Sequence, residues 1–311
     1  MVWIFWMESI TKMEEFLKKC TLCPRNCKVN RMADKAGYCG QSASIYVARA
    51  ALHMWEEPCI SGGRGSGTVF FSGCNLRCVF CQNHEIAAGR AGKEIDIEHL
   101  AKIFLQLQKE GAANLNLVTG THYVPQIIRS FGIAKEKGFR IPVLYNSSGY
   151  ESVETLKLLE GAVDIYLPDF KYINSVTAKK YSNASDYPQI TKMAIKEMVR
   201  QCKEAMFDDE GYMQRGVIVR HLILPGHVEE SKQILAYLYG TYGNDIYYSI
   251  MNQYTPLKHV EAYPEINRKI TEAEYDEVVD FAIDLGIENG FIQEGETADE
   301  SFIPQFDCEG I

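Results

Sequence analysis

Short apolar runs and amphipathic stretches alternate through most of the chain. Residues 68–72 (TVFFS), 114–119 (NLNLVT), 141–145 (IPVLY), 163–167 (VDIYL), 216–224 (GVIVRHLIL) and 246–251 (IYYSIM) have strand length and strand composition. Between them, residues 96–109, 124–137, 151–160, 175–182, 188–206 and 228–239 follow helical spacing, and 271–285 adds a last helix. In 96–109, Ile97, Leu100, Ala101, Phe104, Leu105 and Leu107 fall on or near one helix face. A short strand-like piece, 290–293, follows. Strands alternating with helices predict an α/β fold with a parallel sheet and right-handed crossovers. Six such units favour a partial or complete (β/α)6-type barrel over a flat doubly wound sheet, with chemistry at the C-terminal ends of the strands.

Upstream the pattern changes. Residues 8–19 predict a short amphipathic helix, 20–40 a Cys-rich knuckle, and 45–52 a strand or the start of a helix. The glycine-rich stretch 61–67 (SGGRGSG) reads as a flexible linker. The expected division is therefore an N-terminal extension, 1–60, and a barrel domain, 61–311.

Composition narrows the class. The chain has 311 residues, 46% of them hydrophobic and 23% charged, enough for a sizeable core. Its net charge of −9 gives no strong nucleic-acid signal, because phosphate binding draws on Lys and Arg. No Lys, Arg or His follows Lys269, so the acidic C-terminal stretch reads as a solvated helix and tail. The apolar run Val2 to Met7 is far below the ~20 residues of a membrane span and lacks the basic start of a signal peptide. A cytoplasmic protein without membrane association is expected. Ten cysteines stand out. Their clustering at Cys20, Cys23, Cys27 and Cys39 and at Cys74, Cys78 and Cys81 favours metal ligation over disulfides and implies a reducing compartment.

Cys74-Asn75-Leu76-Arg77-Cys78-Val79-Phe80-Cys81 has the spacing C-x3-C-x2-C directly after the first barrel strand. Three thiolates on one loop can ligate three irons of a cubane and leave the fourth open to a substrate or cofactor. The competing assignment is zinc, with His84 as a fourth ligand, although zinc sites more often pair two C-x2-C hooks.

This loop resembles the radical S-adenosylmethionine superfamily, and the region 66–260 is similar to pyruvate formate-lyase activating enzyme. The resemblance implies a 4Fe–4S cluster on Cys74, Cys78 and Cys81 that cleaves S-adenosylmethionine reductively to a 5′-deoxyadenosyl radical, with Phe80 near the adenine. It further implies cofactor contacts at the strand ends. Thr119-Gly120-Thr121-His122 stands where activases carry Gly-Gly-Glu, so Thr119, Thr121 or His122 would supply the polar groups. Asn146-Ser147-Ser148-Gly149 corresponds to the Asp-Thr-Asn-Gly-like turn, so Asn146 and Ser148 become contacts for ribose or the methionyl moiety. Asp169-Phe170-Lys171 matches Asp-Leu-Lys, with Lys171 pairing a carboxylate or ribose hydroxyl. Arg220 lies on the Arg-containing strand that ends in Pro225-Gly226, and a family His is replaced near Asn252-Gln253-Tyr254. A glycyl radical enzyme activase, a modifier of another protein or peptide substrate, and a small-molecule enzyme are the options implied. The reductant would be a protein such as a flavodoxin or ferredoxin.

Cys20, Cys23, Cys27 and Cys39 supply four thiolates, the count for a closed zinc site or a fully ligated second iron–sulfur cluster. The alternative class for the whole chain is a zinc-binding structural or interaction protein with two Cys-rich sites. The segment His53 to Cys59, with Glu56 and Glu57, reads as a solvated turn, with reach into the site as the alternative. Cys202 and His221 read as packed core residues. His227 could line the pocket, and Cys308 has no assigned role.

Overall fold

The computed structural model describes residues 14–89, 91–293 and 304–311. Of the expected helix at 8–19, residues 14–18 are helical and 1–13 lie outside the described residues. The strands are β1 (Ile45–His53), β2 (Ser66–Phe71), β3 (Lys93–Ile95), β4 (Leu115–Val118), β5 (Val143–Ser147), β6 (Ile165–Pro168), β7 (Met206–Phe207), β8 (Met213–Leu222), β9 (Tyr247–Met251) and β10 (Gly290–Ile292). The longer helices are α1 (Ile97–Lys109), α2 (Val124–Glu136), α3 (Val153–Leu158), α4 (Ser175–Ser182), α5 (Tyr187–Gln201), α6 (Val228–Tyr242) and α7 (Glu272–Leu285).

The sheet order is β10-β9-β8-β6-β5-β4-β2-β1-β3, with β7 on β8. From β2 to β10 every neighbouring pair along this path is parallel. β1 pairs antiparallel with β2 and β3, and β7 antiparallel with β8. The fold is thus α/β with a mixed sheet resembling a partial barrel, not the all-parallel sheet expected. Among the described residues β3 and β10 form its two edges. The predicted strands and helices appear within a few residues, except that the helix expected over 188–206 ends at Gln201 and the short β3 and β7 are not among the expected elements. The other departures are the antiparallel pairings, which side-chain periodicity does not encode.

Local rules explain the helices. Asp96 caps α1 by accepting from His99 N at 2.6 Å, and Leu100, Ile103, Phe104 and Leu107 bury against the sheet and α2. Each such side chain contributes about 1.5–3 kcal/mol by leaving water. Thr271 and Glu274 form a capping box at the start of α7. No helix among the described residues is long and apolar enough to cross a membrane.

Alternation along the strands gives the sheet two faces. On β8, Val217 and Val219 join the large core under the helices, while Ile218 joins a smaller cluster with Cys59, Ile60, Leu144, Ile165, Leu167 and Met213. This second cluster lies on the concave face. The chain crosses that face after β1. His53 pairs with Ser66 at the start of β2, Asn114 Nδ2 donates to Ile60 O just before β4, and Met213 N donates to Cys59 O at the start of β8. Residues 54–61 therefore form a floor across the N-terminal ends of the strands. The stretch expected to be a linker is an ordered turn that runs into β2 at Ser66.

The C-terminal tail is not simply solvated. Phe306 packs edge-on against Phe70 at 5.5 Å, Cys308 N donates to Ala48 O, and Asp307 and Glu309 pair with Arg49.

Candidate active site

Between the floor and the loop after β2 lies a cavity of about 460 Å³. Cys74, Cys78 and Cys81 line it from above, and Glu56 and Glu57 from below. Strand alternation supplies the walls: Arg220 and Leu222 face in, whereas His221 between them faces the helices. There His221 Nδ1 lies 2.7 Å from Phe170 O and Nε2 2.8 Å from Ser231 Oγ. Burial pushes its pKa down to about 4, so the ring stays neutral as a core residue.

The cysteine loop is held from several sides. Arg77 adopts φ +58°, and Leu76 N donates to Cys74 Sγ at 3.3 Å. Ser182 Oγ donates to Cys78 Sγ at 3.1 Å and shares a 2.8 Å bond with Tyr172 OH. Asn75 Nδ2 donates to Tyr150 O at 2.7 Å. Arg25, from the N-terminal knuckle, donates to Asn75 O (2.8 Å), Leu76 O (3.4 Å), Ser182 O (3.1 Å) and Asn183 O (2.6 Å). Phe80 is buried edge-on against Tyr172, Tyr181 and Tyr254. Burial raises all three thiols above the usual range, and Lys171 opposes the rise in each.

Opposite the loop is a buried ion network. Lys171 Nζ donates to Asp169 Oδ2 at 2.6 Å. Arg220 spans three partners: Asp169 Oδ1 (3.1 Å), Glu56 Oε2 (3.2 Å) and Asn146 Oδ1 (2.6 Å). Burial alone would raise the Asp169 carboxyl, but Lys171 and Arg220 more than offset it and hold it below its ordinary value. Burial would likewise lower the Lys171 ammonium, and Asp169 more than offsets that. Asn116 Nδ2 completes the shell on Glu56 Oε1 at 2.8 Å.

Several of the residues named from sequence share this cavity. Cys74, Cys78, Phe80, Cys81, Thr119, Asn146, Ser148, Asp169, Lys171 and Arg220 all line it. Thr119 sits at φ +58°, a left-handed conformation costly for a β-branched residue. Gly120 is not in the lining, and a Cβ there would come within 2.8 Å of Ile127. Thr121 and His122 point elsewhere: Thr121 Oγ1 donates to Glu151 Oε1 at 2.7 Å, and His122 Nε2 lies 2.7 Å from Ser72 O. His227 bonds Tyr181 and Glu230 outside the lining. Gly149, at φ +73°, must be glycine, because a Cβ would lie 2.2 Å from Asp169 O. The turn expected to be solvated exposes Met54, Trp55 and Pro58, but Glu56 is half-buried and Glu57 buried in the floor. Gln253, at the position of the replaced family His, also lines the cavity, and so does Ser249, which is not among the residues named from sequence. The inward period of β9 is the sequence signal for Ser249.

Cys20, Cys23 and Cys39 are buried and Cys27 half-buried, and each of the four is close enough to others of the set to feel their charge. Burial pushes Cys23 up to about 12. Buried Arg31 lies beside Cys20 and Cys39. Among the described residues no three His, Cys, Asp or Glu side chains are already gathered at ligand spacing, in the knuckle or in the loop. The donor chemistry nevertheless fits: soft thiols, shared lining in the loop, four-fold count in the knuckle.

An α/β partial barrel with a three-cysteine loop over a charged cavity defines a class of cofactor-using enzymes. The chain matches the radical SAM superfamily over residues 68–238 and belongs to it. An uncharacterized protein of Methanocaldococcus jannaschii is 31% identical over 279 residues, which cover 86% of this chain and 75% of that protein. Among solved structures, methylornithine synthase (PylB) superposes with a TM-score of 0.51 and 13% identity, covering 92% of this chain and 70% of that one. Streptococcus suis SuiB bound to S-adenosylmethionine gives a TM-score of 0.48 and 13% identity over 72% of this chain. The match spans 49% of that SuiB chain.

Proposed function

We propose that the chain is an enzyme that cleaves S-adenosylmethionine reductively and abstracts hydrogen from a substrate carbon, with Cys74, Cys78 and Cys81 as the protein ligands of a 4Fe–4S cluster. The observation that carries this is the shared lining: the three thiols face one cavity with Asn146, Ser148, Asp169 and Lys171. When bound, the cluster and cofactor would supply one-electron cleavage of a C–S bond, chemistry beyond any side chain. The chain's residues bind, orient and exclude water. Lys171, fixed by Asp169, is the cation for a cofactor carboxylate or ribose hydroxyl. Arg220 is fully engaged by Asp169, Glu56 and Asn146, so it positions those groups and does not bind directly. Thr119 and Ser148 offer the remaining hydroxyls, and Phe80 with its three tyrosine neighbours keeps water from the loop.

Within this class, the reading from sequence is an enzyme similar to pyruvate formate-lyase activating enzyme, acting on a glycyl radical enzyme or another protein or peptide. A wider depression of about 1010 Å³ supports a bulky substrate, because it shares His53, Trp55, Phe70, Gln82 and Pro304 with the cavity. Residues 1–60 would add a second metal site on Cys20, Cys23, Cys27 and Cys39, zinc or iron–sulfur, and bring the floor residues Glu56 and Glu57 to the catalytic unit 61–311. A flavodoxin- or ferredoxin-like protein would deliver the electron. The test is anaerobic reconstitution, addition of dithionite and S-adenosylmethionine, and quantification of 5′-deoxyadenosine. Wild-type protein forms it and Cys78→Ala does not. A colourless protein holding two zinc ions and forming no product would refute the proposal.

A further inference from the structure

The floor of the cavity carries a feature to which the proposed cofactor contacts give no role. Glu57 is 8% exposed, lines the cavity, and its Oε2 has no hydrogen-bond partner. The cations nearby are committed elsewhere: Arg220 to Asp169, Glu56 and Asn146, and Lys171 to Asp169. A buried carboxylate oxygen left without a donor is costly, so the floor calls for a donor from outside. The sign of that donor follows from the acid itself: on the floor Glu56 is paired with Arg220 and Asp169 with Lys171 and Arg220, which leaves Glu57 as the lining acid without a cation bonded to it. The walls above, Val118, Leu222, Met251 and Phe291, are apolar and suit an alkyl stem.

We propose that Glu57 is the docking group for a protonated amine on the substrate, seated on the floor with its carbon chain directed up the apolar wall toward the cysteine loop. This rests on the cavity being the reaction chamber, and it narrows the substrate to one carrying an ammonium group on an alkyl chain, free or within a peptide. The Ser249 hydroxyl already supports the Glu57 carboxylate, and an ammonium brings three donors, one for the unpartnered Oε2 and two for further acceptors. Burial holds the empty Glu57 carboxyl above its ordinary range against the pull of Arg220, and an arriving cation reverses that balance.

The test uses the whole chain, reconstituted anaerobically with iron and sulfide and saturated with S-adenosylmethionine, at physiological salt. Binding of hexylamine, hexanol and hexanoate is measured by thermal shift and calorimetry. Hexylamine binds best to the wild type, and Glu57→Gln weakens it at least fivefold while hexanol binding stays unchanged. A preference for hexanoate or hexanol in the wild type, which needs no variant, overturns the proposal, as does a loss below fivefold in Glu57→Gln. Formation of 5′-deoxyadenosine by the same wild-type preparation is scored separately. Its absence refutes the radical chemistry, whereas its presence without amine selectivity refutes only the role of Glu57.

Discussion

The two cysteine clusters use the same side chain in opposite settings. Cys74, Cys78 and Cys81 border the 460 Å³ cavity, and their loop packs on the main core through Leu76 and Phe80. Cys20, Cys23, Cys27 and Cys39 line neither described cavity and sit with a minor cluster, Leu17, Cys20 and Leu22, as their local core. The loop is therefore supported by the partial barrel, whereas the knuckle has little apolar burial of its own. On the proposed reading the loop would present an open metal position and the knuckle would depend on ligation for its shape, the difference lying in the cavity beside the loop more than in the number of thiols.

Substitutions can break this contrast. Cys78→Ala should reduce 5′-deoxyadenosine formation to the protein-free background, with a stability change of about 1–2 kcal/mol in chemical denaturation. Cys23→Ala should do the reverse at the knuckle. It forfeits much of a metal-binding free energy on the order of 10 kcal/mol, seen as fast hydrogen exchange across residues 14–44 while the barrel strands stay protected. A residue in neither cluster gives a baseline. His221 is lowered to about 4 in the folded chain against an ordinary ~6.5. Its contribution is full above pH ~6.5 and is lost as pH falls toward the folded value, about 3 kcal/mol in all. His221→Gln should flatten that part of the stability–pH curve and leave both metal contents unchanged. The smallest effect should come from Arg25→Met, which removes the knuckle's four bonds to the loop region. A loss of about 2 kcal/mol is expected, together with a broadened electron paramagnetic resonance signal of the loop's cluster and unchanged iron content.

Much of the barrel is legible in the chain. Apolar runs of strand length and helical spacing place β4, β5, β6, β8, β9 and α1 to α7 within a few residues, since burial on one face imposes the periods; the two-residue β7, exposed on both positions, lies where the helical stretch 188–206 is expected to end. The cysteine loop is legible for the same reason: it directly follows a strand. Strand direction is not, because alternation is the same for parallel and antiparallel neighbours, so β1 beside β2 is invisible locally. Glu56 and Glu57 escape for a related reason. Two acids in a turn look solvated until the chain is seen to cross the concave face, where Arg220, fifth strand along, supplies a partner from far away in sequence. Likewise Thr121 and His122 follow a strand as site residues do, but the short turn Thr121–Tyr123 rotates them toward Glu151 and Ser72.

The central claim is that one iron at the Cys74–Cys78–Cys81 loop has no ligand from the chain and accepts S-adenosylmethionine. Electron paramagnetic resonance of the dithionite-reduced protein, with and without S-adenosylmethionine, addresses it directly. The account predicts a reduced 4Fe–4S signal whose g-values shift when the cofactor is added and which is absent in Cys78→Ala. A signal indifferent to the cofactor, or one that survives in Cys78→Ala and moves in the same way, would contradict it.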